Sequence, residues 1–148
     1  MFAGACAIAL GSNALRKDAI PLAADWSVEA RFADAAGQDS MIDLEEARVL
    51  FERGAAVFVD ARPGSQYAEG HIRGALSLPF HEVDDHFMDV ADRLEVPKTI
   101  VTYCDGEGCE LSHELALFLK QIGFENVRVL VNGWTVWQQA GLPTEAGA

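Results

Sequence analysis

The sequence predicts an α/β domain built on a mainly parallel sheet with helices on both faces. Three observations carry that expectation. Short continuous apolar runs recur at residues 57–59, 75–78, 100–103 and 127–131, as in strands buried on both sides. Stretches with helical spacing of apolar residues lie between them, and strands alternating with helices imply right-handed crossovers between parallel neighbours. A length of 148 residues, half of them apolar, suits one domain with a sizeable core.

Residues 44–53 set Leu44, Ala47, Val49, Leu50 and Phe51 largely on one helical face, with acids early and Arg53 late, as a helix dipole favours. Gly54 ends that helix. After the strand at 57–59, Pro63-Gly64 makes a turn, and Ser65 is placed to cap a short helix running through Glu69. The strand at 75–78 leads past Pro79 into an acidic helix reaching about Leu94, which Pro97 closes off. Glu82, Asp84, Asp85, Asp89 and Asp92 read as its solvated face. The third strand ends at Tyr103. Leu111, Leu115, Leu117, Phe118, Leu119 and Ile122 then recur at roughly helical spacing, and Gly123 stands where a C-terminal cap belongs. A last strand at 127–131 precedes a closing helix at 134–140, whose Trp134 and Trp137 are expected in the core, with the rim of a pocket as the alternative.

Residues 1–39 read as a leader and linker ahead of a domain spanning 40–148. No charge occurs before Arg16 and Lys17. The apolar stretch is shorter than the roughly 20 residues a spanning helix needs, and no basic region precedes it as a secretory signal requires. It is either the end of a truncated membrane anchor or a segment packed on the domain. Insertion of residues 1–15 would leave the globular part in the cytoplasm, the expected location, since Arg16 and Lys17 follow. A net charge of −12 repels phosphate backbones, so no nucleic-acid partner is expected. Three cysteines, an odd count, make no disulfide framework and point to a reducing compartment.

The chemistry centres on Cys104. The run TIVTYC (residues 99–104) carries this thiol off the end of a strand into a glycine-containing loop that opens a helix, and ligands of open α/β sheets sit at such strand ends. Unpaired N–H groups and the dipole at a helix start favour thiolate over thiol. Cys104 is therefore the candidate nucleophile. The backbone amides of Asp105, Gly106, Glu107, Gly108, Cys109 and Glu110 are expected to ring its sulfur, which is expected to be open to water.

At these residues the chain resembles the rhodanese-type sulfurtransferase domains. VFVDARPGSQYAEGHIRGALSLP (residues 57–79) resembles the first family signature; TIVTYC and GFENVRVLVNGWTVWQQAGLP (residues 123–143) resemble the second and the closing segment. The resemblance spans about residues 40–145. It implies a rhodanese-like three-layer fold around a mainly parallel five-stranded sheet. It further implies that Cys104 takes the outer sulfur of a donor as a persulfide and yields it to a thiophilic acceptor, without metal or organic cofactor. The donor is then a small sulfur compound or a protein persulfide.

The loop departs from the family pattern. Asp105, Glu107 and Glu110 stand where basic or hydroxyl residues are usual, and a carboxylate at about 4 Å costs an anion about 1 kcal/mol in water. Weak handling of dianionic thiosulfate follows. A longer loop also suits the phosphatase relatives of this fold, but Glu110 occupies the place of their arginine. Cys109, five positions after Cys104, is a possible resolving or relay thiol, which opens a dithiol redox reading; its other role is to fill a small site at the helix start. Cys104, Cys109 and His113 are too few to hold zinc, so no metal is expected. Arg62 and Arg73 are accessory candidates leaning toward the loop, and Asp60 is placed to orient Arg62 or loop amides. His71 is expected to fix a turn by hydrogen bonds. A non-catalytic interaction module is the third reading, because family membership alone does not confer activity.

Overall fold

A computed structural model of the protein describes residues 40–96, 98–106 and 109–147. The leader at residues 1–39, with its membrane alternative, lies outside the described residues. Among the described residues no helix is long and apolar enough to cross a membrane.

The strands are β1 (Met41–Ile42), β2 (Ala56–Asp60), β3 (His71–Ile72), β4 (Leu76–Ser77), β5 (Thr99–Tyr103), β6 (Val127–Leu130) and β7 (Thr144–Glu145). The helices are α1 (Leu44–Glu52), α2 (Gly64–Glu69), α3 (Val83–Leu94), α4 (Leu111–Gln121) and α5 (Gly133–Gln139), with a 3-10 turn at Phe80–Glu82. The main sheet has five strands in the order β1-β6-β5-β2-β4, every neighbouring pair parallel. β5 lies at its centre.

Side chains of a strand alternate between faces, and here that alternation builds two cores. Val59, Ile100, Val127 and Val129 join Val90 and Leu94 of α3 and Leu115 and Leu119 of α4. Phe58, Val101, Tyr103 and Leu130 join Ala47 of α1 and Trp137 of α5. The three layers follow. Each fully buried aliphatic side chain contributes about 1.5–3 kcal/mol, so the strands must be apolar on both faces.

Local chemistry sets the helix boundaries. Asp43 caps α1, its carboxylate accepting from the Glu46 amide at 2.8 Å. α2 starts at Gly64 behind Pro63 with no side-chain cap, so Ser65 lies inside the helix rather than capping it. Proline's fixed φ presets the entry instead. α3 carries Asp84, Asp85, Asp89 and Asp92 outward, and Glu82, in the preceding 3-10 turn, is exposed as well.

Three short strands escape the sequence reading: β1, which pairs with β6 at the sheet edge, and the β3–β7 pair. β3 and β7 pair antiparallel, His71 with Glu145 and Ile72 with Thr144. At two residues each they show no periodicity of their own. The pairing returns the chain's end to its middle: the Gly147 amide donates to the Ala68 carbonyl of α2 at 2.9 Å, and the Glu145 carboxylate accepts from the Gly74 amide at 2.7 Å. His71 is held as expected, with Nδ1 2.8 Å from the Tyr67 carbonyl and Nε2 3.2 Å from Glu145.

Candidate active site

Cys104 leaves the carboxyl end of β5, and its main chain is fastened. Its carbonyl accepts from the Trp134 amide at 3.0 Å, and the preceding Tyr103 carbonyl accepts from Ala61 at 2.9 Å. Tyr103 is itself fully buried, its hydroxyl accepting from the Ile72 amide at 3.1 Å. Burial, reinforced by Asp60, pushes the Tyr103 phenol far above its ordinary range, so it stays neutral.

The Cys104 sulfur is bonded to that of Cys109, across a Cα–Cα separation of 6.4 Å that lies within the span of disulfides. Cys104 is 1% exposed, whereas Cys109 is half-buried. The expectation of a sulfur open to water is thus corrected: in this state Cys109 covers it from the loop side. On its other side the Ser112 hydroxyl lies 3.2 Å from the sulfur. Ser112 is buried in the first turn of α4, and Thr102 of β5 donates to its carbonyl at 2.9 Å.

Of the loop amides expected to ring the sulfur, two are seen in other bonds. The Gly106 amide donates to Asn132 Oδ1 at 2.8 Å, and the Cys109 amide donates to the Gly106 carbonyl at 3.3 Å. Both are committed elsewhere. Glu107 and Gly108 lie outside the described residues. Gly106 holds φ +84° and Asn132 holds φ 52°, ψ 32°, a left-handed geometry that asparagine tolerates better than most residues. Asn132 thereby ties the loop to the entrance of α5. The exposed Asp105 carboxylate accepts from the Thr135 hydroxyl of α5, and Glu110 is exposed at the entrance of α4.

Beside the loop is a cavity of about 420 Å³ lined by Arg62, Gln66, Glu69, Gly70, Asp105, Trp134 and Gln138. Arg62 forms its cationic wall. Asp60 binds this guanidinium through two nitrogens, at 2.9 Å to Nε and 2.6 Å to Nη2, and the Gly70 carbonyl accepts from Nη2 at 2.7 Å. The Trp134 ring lies 4.7 Å from the guanidinium carbon. Burial, the largest single effect, would lower the Arg62 pKa, but the hydrogen bond and charge of Asp60, with Tyr103 and Asp105, together outweigh it and hold the group cationic. Asp60 therefore positions Arg62, as its i,i+2 placement suggests. Trp134 is half-buried, packing on the core while also lining the pocket; Trp137 is the fully buried one, at 0% exposure against Phe51 and Phe58. Arg73 turns to the β3–β7 pair, its amide donating to the Pro143 carbonyl at 3.2 Å and its charge acting on Glu145. Among the described residues no three His, Cys, Asp or Glu side chains are grouped to hold a metal ion.

The rhodanese-like domain family matches residues 43–140. The chain belongs to that family. Among relatives of this rhodanese-like domain, thiosulfate sulfurtransferase GlpE of Pseudomonas paraeruginosa is 39% identical over 94 residues, covering 64% of this chain and 79% of that protein. HTH-type transcriptional regulator Rv0324 of Mycobacterium tuberculosis is 34% identical over 97 residues, 66% of this chain but 41% of the regulator. The chain thus spans less than half of that relative's length. Of solved structures, the rhodanese-like domain of Anabaena sp. Alr3790 superposes with a TM-score of 0.59 at 31% identity, covering 72% of this chain and 79% of that one. The Bacillus halodurans BH2092 protein gives a TM-score of 0.65 at 27% identity, covering 78% and 84%.

Sequence reasoning missed Ser112 and Asn132. Ser112 had a signal: it stands one position inside a helix whose entrance faces a cysteine. Asn132 had another, an Asn-Gly pair after a strand, which marks a left-handed backbone position.

Proposed function

We propose that this protein is a sulfurtransferase that carries sulfane sulfur as a persulfide on Cys104, from a thiosulfate- or persulfide-type donor to a thiophilic acceptor. The family match and the 39% identity to a thiosulfate sulfurtransferase support the reaction class. The observation that carries the residue assignment is the seat of the Cys104 sulfur, at the end of the central strand with the Ser112 hydroxyl 3.2 Å away.

The reactive form is the dithiol. Once the bond to Cys109 is reduced, the Cys104 thiolate receives a hydrogen bond from Ser112 and stands at the start of α4, and both favour the anion. It attacks the outer sulfur of the donor; the donor's sulfur–sulfur bond breaks, and its electron pair leaves with sulfite or a thiolate. The cavity beside Arg62 and Trp134 is the space in which the donor's remainder or the acceptor sits.

Intact mass tests this. The reduced protein should gain one sulfur atom from a sulfane donor and lose it to cyanide, with thiocyanate formed, and Cys104→Ser should do neither. The Cys104–Cys109 disulfide favours a second reading, a dithiol redox protein that never holds sulfane sulfur. In that case the reduced protein loses two hydrogens without a sulfur-bearing stage in either the parent or Cys109→Ser. An unaltered mass in every sample would leave only the interaction module.

A further inference from the structure

Resting on that reading, we propose that Cys109 is a resolving thiol that converts the Cys104 persulfide into hydrosulfide, making the protein a sulfane-sulfur reductase served by an external dithiol. The structure joins the two sulfurs directly. Cys109 therefore reaches the inner sulfur of a persulfide on Cys104, the atom bound to Cβ, from the backbone positions already in place.

The Cys109 thiolate attacks Cys104 Sγ, and the Cys104–Cys109 bond forms as the bond to the outer sulfur breaks. That bond's electron pair departs on the outer sulfur, which carries the proton given up when the Cys109 thiol ionised and leaves as hydrosulfide. Sulfane sulfur is reduced by two electrons, and the two cysteines are oxidised by two. The disulfide is the product state of this step.

Regeneration has a direction. Cys104 is 1% exposed while Cys109 is half-buried, so a dithiol reductant of the thioredoxin kind attacks the Cys109 sulfur and expels Cys104 as thiolate. Ser112 is in place to stabilise that leaving group. The acidic loop is consistent with this use. Asp105 and Glu110 beside the pair disfavour an anionic sulfur that lingers, and a hydrosulfide ion diffuses away.

The test is a single turnover. Full-length protein in a Cys6→Ser background is reduced, freed of reductant and given one equivalent of glutathione persulfide; hydrosulfide and intact mass are followed together. The expected result is near-stoichiometric hydrosulfide, with the protein ending two hydrogens lighter and its disulfide mapping to Cys104 and Cys109. Cys109→Ser should keep one cyanide-labile sulfur on Cys104 and release hydrosulfide about tenfold less or slower. Cys109→Ala serves equally if the serine variant folds poorly. A parent that retains its persulfide, or one whose sulfur maps to Cys109, overturns the inference while sulfur carriage stands. Absence of any sulfur adduct in parent and variants alike overturns both readings.

Discussion

The guanidinium of Arg62 is almost fully enclosed, and its neutralisation depends on one carboxylate. Asp60 is 0% exposed and binds it at 2.6 Å. Asp60→Asn keeps the shape but leaves a buried cation unpaired, which costs about 3–5 kcal/mol. Urea unfolding should show that loss, and a midpoint within error of the parent's would contradict it. This pair was legible in the sequence, because two residues apart on a strand exit is a distance local geometry settles. Ser112 and Asn132 carried local signals but not their roles, since each acts on an atom that only the tertiary fold brings near: Cys104 Sγ for one, the Gly106 amide for the other. The bond between Cys104 and Cys109 was legible as an option and no more, because spacing permits a disulfide without choosing it.

Elements meet here with little tolerance. A Cβ on Gly133 would lie 2.6 Å from the Tyr103 Cβ and 3.1 Å from Leu130 Cγ, so α5 sits on β5 only because that side chain is missing. Gly133→Ala should destabilise by about 1–3 kcal/mol, read from thermal or urea unfolding, and should loosen the Trp134 amide's bond to the Cys104 carbonyl. The β3–β7 pair is governed by charge instead. The Gly74 amide, then His71, hold the exposed Glu145 carboxyl below its usual range. Such a group contributes stability above its unfolded pKa of about 4.3, lost as pH falls through the lower folded value. Glu145→Gln should therefore lower Tm at neutral pH, the difference closing below about pH 4; a gap that persists in acid would assign the effect to packing. The large elements were legible because each repeats its period several times. β3 and β7, two residues apiece, never complete one.

For the molecule as a whole, charge is the dominant property after fold. At −12 the protein repels a dianionic donor from long range, and Asp105 and Glu110 add to that at short range. Raising ionic strength from about 0.02 to 0.3 M shortens the Debye length several-fold, so kcat/KM with thiosulfate should rise several-fold. A donor of single charge should respond less. A falling or flat thiosulfate profile would show that Arg62 already governs the approach. The parallel five-stranded architecture was readable at this scale because buried apolar strands and alternating helices leave few other topologies.

The hydrogen bond from Gly147 to the Ala68 carbonyl settles where anything joined beyond the last residue would begin. α2, which holds Ala68, also supplies Gln66 and Glu69 to the wall beside Arg62. A purification tag or reporter fused downstream would start at the lip of that opening and crowd whatever enters it.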